Sequence, residues 1–169
     1  MRRVYILTIC CCLGSICLNA YGSKIQYDVT NLGGSQFEYE YAITNDSLAF
    51  PIEEFTIWFD VGLYDNLVIT TAELLASQWN EIILKDTGFG VPIGYDSLTQ
   101  SQGILPSETL SGFSVSFDWL GTGNPGTQFF EIVNPITFET IDSGFTVPIP
   151  EPATLLLIGL GGALLRRRM

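Results

Sequence analysis

Phe37-Glu38-Tyr39-Glu40-Tyr41-Ala42-Ile43-Thr44 decides how this chain folds. Large apolar side chains take every second position and glutamates stand between the first of them. That is the pattern of a strand with one face in a core and the other in water. Wound as a helix, the same residues would scatter around the axis and leave no apolar face. On the N-terminal side, Ile25, Tyr27 and Val29 alternate with Gln26, Asp28 and Thr30. On the C-terminal side, Phe55, Ile57, Phe59 and Val61 alternate with Thr56, Trp58 and Asp60. Phe113, Val115, Phe117 and Trp119 alternate with Ser114, Ser116 and Asp118. Shorter strands are predicted over 67–70, 81–84, 129–133 and 136–140.

Turn-forming residues separate these runs at Asn31–Gly34, Thr44–Ser47, Gly88–Gly94, Pro106-Ser107 and Gly121–Gly126. Only Thr71–Gln78 reads as a helix, of about two turns. Many short half-buried strands without a long helix predict an all-β, antiparallel β-sandwich, Ig-like or jelly-roll-like, with Greek-key connections. One such domain is expected over 23–146, between a leader at 1–22 and a tail at 147–169.

The chain of 169 residues has no histidine, a mean hydropathy of +0.31 and a formal charge of −11. Much of the hydropathy comes from the two ends. Between 23 and 146 the only bases are Lys24 and Lys85, against seventeen acids, so this stretch carries −15. Phosphate binding needs clustered Lys and Arg, so a nucleic-acid partner is excluded. The absence of imidazole removes every catalytic triad and zinc site built on it.

Few motifs carry chemistry. Gly121-Thr122-Gly123-Asn124-Pro125-Gly126 spells G-x-G-x-x-G, but Pro125 interrupts it and a strand follows where a dinucleotide site needs a helix. It reads as a turn. The acids invite comparison with glycoside hydrolases, whose two carboxylates must be held at a set separation, yet most of them fall at outward strand positions or in turns. A non-catalytic protein is expected. Oxygen ligands for a structural calcium are offered by Asn45-Asp46-Ser47, by 60–66 and by Asp86, without an EF-hand loop. If Phe55, Ile57 and Phe59 point inward, Trp58 points outward beside Asp60. An outward indole is a candidate platform for a sugar ring, with a covering loop as the alternative.

The ends are addresses. Arg2 and Arg3 precede an apolar run from Val4 to Leu18 and small residues at Ala20 and Gly22. These are the parts of a secretory signal peptide, with cleavage favoured after Gly22 over Ala20. All four cysteines (Cys10, Cys11, Cys12 and Cys17) lie within it, so the exported body would carry none. Ile16 before Cys17 argues against lipidation, which wants a small residue there. At the other end, Pro150-Glu151-Pro152 leads into the apolar run Ala153–Leu165 and then Arg166-Arg167-Arg168. As a helix those thirteen residues reach about 20 Å against a hydrocarbon core of roughly 30 Å. The arginines would stay on the cytoplasmic side and leave everything before Pro150 outside.

This ending resembles a PEP-CTERM sorting signal, and Val147-Pro148 fits the extended form of that signal. The resemblance implies that Pro150, Glu151 and Pro152 are a recognition motif for an exosortase-type membrane transpeptidase, with Arg166–Arg168 as the membrane stop. It implies transient anchoring by the C-terminus and then delivery to the cell surface or an exopolysaccharide matrix. Ile52–Asp60 (IEEFTIWFD) and Gly112–Gly126 (GFSVSFDWLGTGNPG) are similar to ectodomains that often precede such tails, and that similarity brings no activity with it. Three roles follow for the middle: a structural or adhesive matrix protein, a carbohydrate-binding module using Trp58 and Asp60 with calcium as a bridging ion, and a small hydrolase.

Overall fold

The computed structural model of the chain describes residues 22–85 and 92–150. The leader, its four cysteines, Asp86, Glu151, Pro152, the apolar run from Ala153 and Arg166–Arg168 lie outside the described residues.

Among the described residues, ten strands and one helical turn follow each other. The first half contains β1 (Lys24–Gly33), β2 (Gln36–Thr44), β3 (Glu54–Phe59), β4 (Tyr64–Ile69), α1 (Glu73–Ala76) and β5 (Trp79–Leu84). The second half contains β6 (Ile93–Thr99), β7 (Thr109–Trp119), β8 (Phe129–Val133), β9 (Thr140–Phe145) and β10 (Val147–Pro148). They form two five-stranded sheets, β10-β1-β2-β7-β4 and β5-β6-β3-β8-β9, called here sheet 1 and sheet 2.

The alternation of the sequence is what packs them together. Phe37, Tyr39, Tyr41 and Ile43 of β2 are all buried, as are Phe55, Ile57 and Phe59 of β3 and Phe113, Val115 and Phe117 of β7. Aromatic rings cross between the sheets: Phe55 meets Phe113 edge-on at 5.0 Å, and Tyr41 stacks on Tyr95 at 6.3 Å. Each such pair adds about 0.5–1.5 kcal/mol beyond the area it buries. The β1–β2 turn needs left-handed backbone at Gly33 and Gly34 (φ 122° and 61°), which explains the paired glycines there.

The structure corrects the expected elements in five places. A strand absent from the sequence reading, β6, fills the span from the end of the expected 88–94 turn to Thr99. Residues 136–139 are loop, with Phe138 at φ 58°, and the strand lies further on, at Thr140–Phe145. The helix is a single turn without a side-chain cap. Val61 is exposed in the β3–β4 loop and not part of β3. Finally, the sandwich is not wholly antiparallel, because β10 pairs with β1 in parallel. The chain leaves sheet 2 at Phe145, crosses at the buried Thr146 and joins the edge of sheet 1 running alongside β1. The glycine-rich 121–126 segment is a loop between β7 and β8, as expected. Among the described residues, no helix is long and apolar enough to cross a membrane.

Candidate functional site

The outer face of sheet 2 gathers residues that lie far apart in sequence. Cross-strand register aligns Leu84, Gly94, Trp58, Phe129 and Phe145 in one row over all five strands. At about 4.8 Å between strands, the row is roughly 19 Å long. Trp58 is its centre, and it points outward as predicted.

Two contacts set the attitude of the indole. On one side its six-membered ring lies over Gly94, where a β-carbon would come within 3.0 Å of it. On the other, its Nε1–H donates to Glu131 Oε2 at 2.8 Å. Because β6 and β8 flank β3 on opposite sides, the ring is stretched across the strand and laid along the sheet. Phe129 and Phe145 continue the surface, their rings edge to face at 5.6 Å. Phe145 is 66% exposed and Phe129 38%. A shallow cleft of about 390 Å³ opens at this place, lined by Trp58, Phe59, Asp60, Pro92 and Phe129. The structure therefore brings Trp58 and Asp60 to one cleft, and it adds Phe129 and Phe145, which the sequence reading did not single out.

The next row begins with the exposed Ile82 and is polar from there on: Asp96, Thr56, Glu131 and Ser143. Thr56 donates to Asp96 at 2.7 Å, and Thr140 donates to the second oxygen of Glu131 at 2.7 Å. Burial raises the Asp96 carboxyl above its usual range, opposed by the Thr56 hydrogen bond. Glu54 is raised too, by burial first and by the neighbouring Asp96 charge second. Both acids are thus more easily protonated in the fold than out of it. Their contribution to stability is complete below the ordinary carboxylate pKa and is lost as pH rises through the raised native values. The melting temperature of the sandwich should climb as pH is lowered from neutrality toward the ordinary carboxylate range, with the −15 charge of the body adding to the trend. Asp96→Asn should flatten that slope, as thermal melts followed by circular dichroism across the range will show. A melting temperature that falls over the same interval would contradict the assignment.

Of the oxygen ligands offered for calcium, Asp86 lies outside the described residues, and two of the others are engaged in hydrogen bonds. Asn45 is buried, and its amide donates to the carbonyls of Phe50 and Ile104 while accepting from Leu48 N–H. Asn66 donates to Asp118. Among the described residues, no three His, Cys, Asp or Glu side chains converge as a metal site. Of the sorting motif, Pro150 is described and follows directly on Ile149, whose N–H donates to Tyr27 O at 2.8 Å.

Residues 148–168 match the PEP-CTERM protein-sorting motif, so the C-terminal region carries that signal. No curated protein matches the chain. Among solved structures, it is similar to the chitin-binding domain of Chi18aC from Streptomyces coelicolor, with 16% identity over 66% of this chain and 91% of that one, at a TM-score of 0.42. It is also similar to a cohesin module from a Clostridium perfringens family 33 glycoside hydrolase, with 11% identity over 78% of this chain and 99% of that one, at a TM-score of 0.43.

Proposed function

We propose that this chain is an exported, non-catalytic surface protein, sorted through its PEP-CTERM tail by an exosortase-type enzyme, whose sandwich holds polysaccharide on the outer face of sheet 2. Export and sorting rest on the motif at 148–168. A non-catalytic role is supported by composition: histidine is absent, and every cysteine falls between 10 and 17.

One observation carries the polysaccharide reading, the row Leu84–Gly94–Trp58–Phe129–Phe145 with its indole laid along the sheet. Sugar rings have apolar faces and polar rims. An aromatic strip bordered by carboxylates and hydroxyls offers stacking along its centre and hydrogen bonds beside it. Asp96, Glu131 and the exposed Thr140 supply that border. A strip five strands wide suits an extended polymer better than a single ring.

The test is affinity electrophoresis of residues 22–150 through gels containing the producing organism's exopolysaccharide, with calcium and with chelator. The wild-type body should be retarded. Phe145→Ala, which removes an exposed ring, should weaken retention at least tenfold with little change in melting temperature, and Trp58→Ala should abolish it. Thr30→Ala, on β1 of sheet 1, serves as the control and should migrate as wild type. Retention lost only in chelator would make calcium the bridge between the acidic body and an anionic polymer. Equal migration of wild type, Phe145→Ala and Trp58→Ala would remove the strip from the reading. Turnover of any glycan by the same protein would overturn its non-catalytic part.

A further inference from the structure

The sorting signal begins at Pro148, inside a strand that is already paired. Gln26 aligns with Val147 and Tyr27 with Pro148, and the Ile149 N–H completes the contact with Tyr27 O at 2.8 Å. One residue upstream the chain is pinned by Thr146, which is fully buried. Its N–H donates to Gln128 O at 2.8 Å, and its hydroxyl accepts from Gln128 N–H at 2.9 Å. The first residues of the signal are therefore seated on the edge of β1 and held from behind.

The prolines suit this seat. In a parallel pair the residue aligned with Tyr27 turns its own backbone groups away from β1, and Pro148 has no N–H to leave unpaired there. Pro150 repeats the position two residues on. The outer rim of sheet 1 is thereby blunted against further strand addition.

Sequence length closes the geometry. Only Pro150, Glu151 and Pro152 separate Ile149 from the apolar run that begins at Ala153, and three extended residues span at most about 10 Å. A processing enzyme that reads an extended peptide through its main chain needs backbone groups that β1 occupies, on a tether too short to bring the motif clear of the sandwich. We propose that the edge of β1 is an intramolecular binding site for the upstream half of the sorting signal. It competes with the processing enzyme, and release of Val147–Ile149 from Tyr27 is the step that presents the signal. The proposal rests on the sorting reading given above.

The test uses the full chain incubated with membranes of the producing organism, and tail removal is followed by mass. Gln26→Cys with Val147→Cys places two thiols on register partners, at the Cα separation a disulfide accepts. The oxidised protein should be processed at least tenfold more slowly than the same protein after reduction, so any effect of the substitutions on recognition divides out. Thr146→Val removes the hydroxyl that accepts from Gln128 N–H and holds the strand from behind, and it leaves Val147–Pro152 unchanged; it should be processed at least twofold faster than wild type. Equal rates for the oxidised and reduced forms, or a Thr146→Val rate at or below wild type, would overturn the proposal. Replacement of Pro150-Glu151-Pro152 by alanines separates the two readings. Unchanged processing there defeats the sorting assignment itself, whereas a block there with no effect of the crosslink defeats only the seat on β1.

Discussion

Replacing Tyr39 by alanine is expected to destabilise the sandwich by about 4 kcal/mol, since deleting a buried aromatic ring removes its transfer energy and leaves a cavity. Tyr39 is fully buried and is the hub of the aromatic core. Its ring lies 4.9 Å from that of Phe117, 5.3 Å from Tyr27 and 5.6 Å from Tyr41. Its hydroxyl donates to Gly126 O at 2.7 Å and lies 3.2 Å from the Tyr64 hydroxyl. Burial pushes the phenol far above its ordinary pKa, with the Tyr64 hydroxyl adding to the shift. Urea unfolding should show the loss as a lower midpoint with an unchanged slope, and the melting temperature should fall by roughly 15 °C. Tyr39→Phe isolates the hydrogen bond and should cost about 1–1.5 kcal/mol. A loss below about 2 kcal/mol in the alanine variant would mean that the ring cluster is not where stability is concentrated. The effect reaches the strip as well. Gly126 O also receives the Gln128 amide, and Phe129 begins β8 directly afterwards.

Gly103→Ala is the second large effect, at about 3 kcal/mol, through collision and not through loss. A β-carbon at Gly103 would collide with Ile52 O and come within 2.9 Å of Ile52 C, both backbone atoms that no rotamer change can move. Ile52 and Ile104 are buried and bridge each other through two 2.9 Å hydrogen bonds, and Asn45 adds a third contact to Ile104 O at 3.0 Å. The added methyl must break this bridge or push Ile52 from the core. Gly126→Ala is the matched comparison, because nothing lies within 4 Å of its β-carbon position. It should change stability by no more than about 0.5 kcal/mol. Thermal and urea unfolding of the pair will decide the matter, and similar values for both would refute the collision.

Nothing in the sequence tells Gly103 from Gly126, and the same limit explains the other misses. The strands β2, β3 and β7 were legible because each puts aromatic or branched residues on one face and polar residues on the other. In β6 the pattern fails. Its inward side includes the buried Ser97, and its outward side carries Gly94 and Asp96, the glycine being needed because Trp58 lies on it. In β9 the inward positions are Asp142 and Gly144, the latter against the Phe130 ring, so no apolar side chain on the core side announces the strand. Glu81 points between the sheets and accepts hydrogen bonds from Tyr95 and Thr71, although a charge on a short strand reads as an outward position. Within the site, the outward direction of Trp58 was legible from its neighbours in β3. Phe129 and Phe145 were not, because their value lies in standing next to Trp58 and to each other.

By itself the sequence determined the all-β class, the absence of imidazole chemistry and the sorting motif at the C-terminal end. These are local properties: a period of two, a missing residue type, a motif read in order along a few residues. Only the tertiary structure decided which strands are neighbours. It set β3 between β6 and β8, and so built one strip from residues 58, 84, 94, 129 and 145. It also laid the start of the sorting signal along β1. Alternation tells a strand which face to bury, whereas its partners are chosen by register and packing across the whole chain, which no local window contains.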